Sequence, residues 1–230
     1  MGRYARINHP GLIHHIIKRG NNREAVFLEE EDYRHYLNTI QRYKKKYEFK
    51  LYAYCLMTNH VHLLLETTSQ GNISRIMQSI TIAHIRYYNY KYQRCGHVWQ
   101  GRFMSPVVSS DEYFLTAMRY IEQNPLRANM VKNVDEYCWS SYKLNIREKE
   151  SSLIDRCDNI AFNSLGKDFE SRVREYKRHL SCNLEKKQLD TIRETTRHSG
   201  NYVSKKFQEQ FMKLLPQKRM RGRPREKEQN

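Results

Sequence analysis

His60 and His62 stand two residues apart in the run Met57-Thr58-Asn59-His60-Val61-His62-Leu63-Leu64-Leu65-Glu66, whose apolar members give it the character of a strand. On a strand such a pair shares one face, about 7 Å apart along it, so two imidazoles can hold one cation while the intervening apolar residues anchor the strand. A second segment, Arg119-Tyr120-Ile121-Glu122-Gln123-Asn124-Pro125, offers a tyrosine and an amide at i and i+4 of a helix end. Cleaving a phosphodiester needs an in-line nucleophile and charge stabilisation on the non-bridging oxygens. His60 and His62 would supply two ligands of a divalent ion, the amide oxygen of Asn124 the third, and Tyr120 the nucleophile. Attack by a tyrosine leaves a phosphotyrosine link that conserves bond energy for rejoining. In so basic a chain this constellation points to the cutting of nucleic acid.

Other chemistry-bearing residues read more plainly. His14 and His15 lie on a first strand that could neighbour the site, but they read better as satisfied sheet histidines, and His84 as a packed or exposed helix residue. Glu66 could support the metal from behind or pair with a nearby arginine. Trp99 and Arg102, in His97-Val98-Trp99-Gln100-Gly101-Arg102-Phe103, could stack a base or form turn and core. Arg119 could balance phosphate charge or face solvent. Arg19, Arg23 and Arg127 are further candidates for contact with nucleic acid.

The elements that must position these groups follow from periodicity and turn signals. Leu12 to Lys18 reads as a strand, Glu29 to Tyr47 as a helix, and Phe49 to Met57 with His60 to Thr67 as a hairpin closed by Thr58-Asn59. Asn72 to Tyr92 reads as a long helix and Val98 to Val108 as a strand broken by Gly101 and Pro106. Asp111 is the expected N-cap of a helix from Glu112 to Gln123, which Pro125 should end. The order β-α-β-β-α-β is the ferredoxin-like, split-βαβ pattern of an α+β fold. Its antiparallel sheet should carry helices on one side and leave the other face open for a partner. Residues 145–216 form a charged, mainly helical extension with helices expected near Phe169 to His179, Leu184 to Thr196 and Ser204 to Leu215. Residues 217–230, with Lys218, Arg219, Arg221, Arg223 and Arg225, should be a disordered basic tail.

Bulk composition agrees. The 230 residues carry a formal charge of +16, which attracts a polyanion. Seventeen tyrosines against eight phenylalanines suit unpaired bases that stack, although many such rings must serve the core. Five scattered cysteines without a CxxC pair argue against a disulfide framework or cysteine zinc site. With neither a long apolar run nor a leader-like start, the expectation is a cytoplasmic, nucleoid-associated protein that uses no membrane.

Four segments together carry a resemblance: Ala53 to Leu65, Trp99 to Phe103, Tyr120-Ile121-Glu122-Gln123-Asn124-Pro125-Leu126-Arg127-Ala128 and Trp139-Ser140-Ser141-Tyr142. In order and spacing the chain from about Arg3 to Tyr142 resembles the REP-associated tyrosine transposases, relatives of the single-tyrosine HUH insertion-sequence transposases. The resemblance implies an HUH endonuclease domain over 1–144, acting on single-stranded DNA beside hairpins of REP-like palindromes, as a monomer or homodimer. It puts the two metal histidines on His60 and His62, the third ligand on Asn124 and the nucleophile on Tyr120. The implied product is a 5′-phosphotyrosine with a free 3′-hydroxyl, made with Mg²⁺ or Mn²⁺. Imidazole donors suit Mn²⁺ while availability favours Mg²⁺.

Two other readings use the same residues. A domesticated transposase would hold hairpin DNA without turnover and need the same charge and aromatic rings, but not an intact ligand set and tyrosine. A replication-initiator or relaxase type of nickase fits less well, given the Asn-Pro context and the lack of any helicase-like region.

Overall fold

The computed structural model describes residues 6, 8–108 and 110–197. The helix expected at 204–215 and the basic run from Lys218 to Arg225 lie outside the described residues.

Strand β1 (Ile13–Arg19) leads through a short turn to helix α1 (Glu30–Tyr47), which is followed by β2 (Lys50–Met57), β3 (His60–Glu66) and α2 (Ile73–Lys91). A capping box between Glu29 and Asp32 opens α1, and acids in its first turn with lysines in its last complement the helix dipole. Asn72 caps α2 by accepting from the Arg75 amide at 2.9 Å. The sheet order is β1-β3-β2, with β3 antiparallel to both neighbours. β1 and β2 therefore run parallel with β3 inserted between them, which is the split-βαβ arrangement.

The expected fourth strand is only partly formed. Residues 98–108 follow the outer edge of β1 through isolated bridges, Ile17 with Met104 and His14 with Val107 among them. Gly101, with φ 49°, and Pro106, which has no amide hydrogen, keep the segment from forming a regular ladder. It nonetheless occupies the edge position that the ferredoxin-like pattern requires.

Both faces of the sheet are covered, so the open face expected from the sequence is absent. On one face Ile16, Leu56, Val61, Leu63 and Leu65 meet Tyr36 and Ile40 of α1 and Ile76, Met77 and Ile80 of α2. On the other, Ala53, Cys55 and Leu64 are covered by α3 (Asp111–Glu122) through Phe114, Ala117, Met118 and Ile121. Those β2 and β3 residues are small or apolar, so water on that face would be unfavourable.

Ser110, rather than Asp111, caps α3 by accepting from the Tyr113 amide at 3.2 Å. Pro125 does not end the helical course. It sits in the first turn of a short helix, α4 (Asn124–Arg127), where its missing N–H has no intrahelical role. Beyond it come α5 (Tyr142–Ile146), α6 (Ile160–Asn163), α7 (Phe169–Ser181) and α8 (Lys186–Arg197). Ala161, Phe162, Tyr176 and Leu180 join the core under α3. Among the described residues no helix is long and apolar enough to cross a membrane.

Candidate active site

The two-residue turn pairs Met57 with His60, which sets the register of the hairpin and sends His60 and His62 to the α3 face of β3. Their ring centroids are 5.1 Å apart. His60 is half-buried, and its Nδ1 lies 2.7 Å from Oδ1 of Asn59. Asn59 in turn donates to the Arg23 carbonyl at 2.9 Å, and its own carbonyl accepts from the Gly20 amide at 2.7 Å. A side chain at Gly20 would collide with the Glu24 carbonyl, so the approach of this loop to the hairpin depends on glycine.

A third imidazole joins the pair. His15, fully buried on β1, brings Nε2 to 3.0 Å from Nδ1 of His62, with ring centroids 5.2 Å apart. By sequence His15 and His14 look alike, and the structure separates them. His14 faces the other way, its Nδ1 3.5 Å from the Ser105 carbonyl oxygen, and His84 is a core residue bonded to the Val26 carbonyl. What the sequence did not reveal is that His15 lies on the same face as His62, one step diagonally across the ladder.

Burial holds all three site imidazoles neutral. It pushes His60 down to about 4, with Arg19 adding to the effect, and His15 down to about 3, with Arg127 adding. For His62 burial comes first, then His15, His60, Arg127 and Arg19, and the ring lies well below its ordinary range. A neutral imidazole keeps the lone pair that a metal requires.

Tyr120 reaches this cluster from α3. Its ring meets His62 edge-on at 5.7 Å between centroids and His15 at 5.8 Å. The Arg127 guanidinium lies over the Tyr120 ring, 4.2 Å from its centroid, and also donates to the Tyr120 carbonyl. One guanidinium nitrogen, Nη1, is buried without a partner among the described residues. The Asn124 amide nitrogen lies 3.4 Å from the same Tyr120 carbonyl, and Oδ1, the atom a cation would take, has no hydrogen bond among the described residues. Among the described residues no three His, Cys, Asp or Glu side chains form a ready-made metal site. A cation here would depend on two imidazoles, the Asn124 oxygen and oxygens from substrate or water, a set compatible with Mg²⁺ or Mn²⁺.

The remaining sequence candidates divide. Arg19, Arg23 and Arg102 are exposed, and Arg19 pairs with His60 across the ladder. Trp99 is 4% exposed and packs against Phe27, Tyr36 and His84, so it presents no free face to a base. Arg119 is 5% exposed and does not face solvent; it donates to the His179 carbonyl and to Oε1 of Gln188. Glu66, at the far end of β3, accepts from the Tyr52 hydroxyl rather than backing the histidines.

Sequence reasoning also passed over Glu122. It is fully buried and accepts from Ser141 at 2.5 Å, Asn145 at 2.8 Å and Tyr176 at 2.7 Å. Burial pushes its carboxyl up to about 7 against the opposing pull of those three donors. Beside it, Gln123 donates to the carbonyls of Leu180 and Cys182. One acid inside the apolar stripe of Phe114, Met118 and Ile121 was the available signal. Two of the segments noted in the sequence, the one around Tyr120 and the one around Trp139, thus meet at a single carboxylate.

Comparison with known proteins extends these observations. Residues 8–124 match the family model described as IS200-like transposase. A Haemophilus influenzae protein described as a REP-associated tyrosine transposase is 25% identical over 116 residues, covering 44% of this chain and 63% of the relative. The chain thus spans less than two thirds of that relative's length. A solved structure of a REP-associated tyrosine transposase bound to a REP hairpin superposes with a TM-score of 0.55 at 20% identity, covering 70% of this chain and 96% of that one. A Deinococcus radiodurans transposase structure covers 59% of this chain and 95% of its own at 18% identity, with a TM-score of 0.36.

Proposed function

From the premise that this chain belongs to the IS200-like transposase family, we propose that it is a metal-dependent single-stranded DNA endonuclease and strand transferase that cuts beside hairpins through a covalent tyrosine intermediate. The observation that carries the proposal is the convergence of Tyr120 from α3 on the His60–His62 pair of β3, with 5.7 Å between the Tyr120 and His62 rings.

In this reading the Tyr120 hydroxyl oxygen attacks phosphorus, its proton passing to solvent. The bond from phosphorus to the 3′ oxygen breaks, that oxygen leaves as a hydroxyl after taking up a proton, and the 5′ phosphate stays on the tyrosine. Attack by a 3′-hydroxyl on that link reverses the step and joins strands. His60, His62 and Asn124 would hold a divalent ion, Mg²⁺ or Mn²⁺, which when bound supplies positive charge at the non-bridging oxygens. Arg127, stacked on the attacking ring with one nitrogen unpartnered, offers a fixed positive charge beside the phosphate. Arg19 and Arg23, exposed near His60, are assigned to the flanking strand.

The test uses end-labelled hairpin oligonucleotides with single-stranded flanks, incubated with wild type or Tyr120→Phe in Mn²⁺ or EDTA and run on a denaturing gel. A metal-dependent protein–DNA adduct in wild type alone is expected, with hairpin binding kept in the variant. Tight binding without adduct across several hairpins and both metals would favour a domesticated binding protein instead.

A further inference from the structure

We infer that His15 is a positioning residue that fixes the tautomer of His62, holding the proton on Nδ1 so that Nε2 is left with its lone pair. The contact between the two rings stands without a metal, whereas its direction, His62 donating to His15, rests on the metal reading of the site.

The argument begins with what a buried imidazole can do. A neutral ring carries one proton, on either nitrogen, and whichever nitrogen lacks it can bind a metal. Nδ1 of His62 is engaged at 3.0 Å by Nε2 of His15, so it is Nε2 of His62 that remains for a cation. Metal on Nε2 obliges the proton to sit on Nδ1, where it needs an acceptor because the ring is only 3% exposed. Among the described residues His15 is the one acceptor the structure places there. Were His15 instead the donor, His62 would carry its proton on Nε2 and could not ligate.

His60 is arranged in parallel. Its Nδ1 faces Oδ1 of Asn59 at 2.7 Å, which also directs its Nε2 lone pair toward ligation. The two ligands therefore have separate supporting partners, an amide from the turn and an imidazole from the neighbouring strand. Such outer partners orient the ligand ring and raise its basicity. The arrangement has a visible cost, since Nδ1 of His15 is buried without a hydrogen-bond partner among the described residues. A purely structural histidine at a fully buried strand position would be expected to satisfy both nitrogens or to be replaced by an apolar residue. His15 also meets the Tyr120 ring at 5.8 Å, so the same side chain borders both the ligand strand and the helix that carries the tyrosine.

The experiment compares full-length wild type with His15→Phe, His15→Gln and His15→Asn. Long-range proton–nitrogen NMR of the metal-free protein reads the His62 tautomer, and calorimetric titration with Mn²⁺ reads affinity. The Nδ1–H form should dominate in wild type and be lost in His15→Phe, with Mn²⁺ binding weakened by about 10–100-fold. Gln is long enough to present an acceptor and should restore both readouts, whereas Asn is too short and should resemble Phe. If His15→Phe does not fold, the Gln and Asn pair decides the matter. An unchanged His62 tautomer in a folded His15→Phe, or equal behaviour of Gln and Asn, would overturn the assignment. Wild type that binds no Mn²⁺ would instead overturn the metal reading, while the tautomer comparison would still decide what His15 does to His62.

Discussion

At the residue scale, the four side chains on which the proposed chemistry rests come from two short segments, and the sequence made both visible. The i, i+2 spacing put His60 and His62 on one face because strand geometry leaves no alternative. The i, i+4 spacing brought Asn124 to the Tyr120 turn, although through its backbone carbonyl. His15 was not legible, because nothing in Ile13-His14-His15-Ile16 says which of two adjacent histidines faces the helix that carries Tyr120. That choice is made by pairing with β3, a long-range fact. Trp99 shows a second limit, since an aromatic beside an arginine reads equally as a stacking platform or as core until its burial is known. His60→Ala and His62→Ala should each abolish metal-dependent cleavage of hairpin oligonucleotides while circular dichroism stays native. Full activity in either variant would remove that residue from the ligand set.

At the scale of elements, the order of strands and helices could be read from the sequence, and the covering of the second face could not. Apolar periodicity reports that an element is buried but not against what, so α3 and its partners in the C-terminal helices had to be seen in place. Their junction is the Glu122 carboxylate, and it makes a specific forecast about pH. Its folded value, about 7, lies above the ordinary glutamate value of 4.5, so between these values the native state binds more protons than the unfolded chain. Its contribution is therefore full below pH 4.5 and is lost as pH rises through about 7, amounting to about 3 kcal/mol in total. Glu122→Gln keeps an acceptor for Ser141 and Asn145 but cannot ionise. Urea denaturation at pH 4.5 and pH 8 should show a smaller loss of stability for the variant than for wild type, by about that amount. Parallel pH profiles for the two proteins would show that Glu122 does not titrate in this range.

At the scale of the whole molecule, composition gave the sign of the partner more securely than its identity. A charge of +16 favours a polyanion, yet many of the seventeen tyrosines that suggested stacking are spent inside, Tyr33, Tyr36, Tyr54, Tyr88 and Tyr176 among them. The proposed grip on DNA then falls to exposed arginines and to the basic run from Lys218 to Arg225, with the helical region at 145–216 proposed to share in it. Deleting residues 217–230 should weaken binding to hairpin DNA and reduce the slope of log affinity against log salt, since fewer counterions are released. An unchanged slope in fluorescence anisotropy titrations would exclude the run from the interface.

The meeting of α3 with α7 has a temporal side. A polypeptide leaves the ribosome from its N-terminus, so β3 and α3 emerge well before Tyr176, Leu180 and Cys182. Until those arrive, Glu122 lacks the Tyr176 hydroxyl and Gln123 lacks both carbonyls it binds. The helix that carries Tyr120 can thus pack on the sheet early, but its polar anchoring is completed only by these late residues. A nascent or prematurely terminated chain would hold its histidine hairpin before these anchors of the Tyr120 helix exist, so on the proposed reading its site would be assembled only once synthesis has passed Cys182.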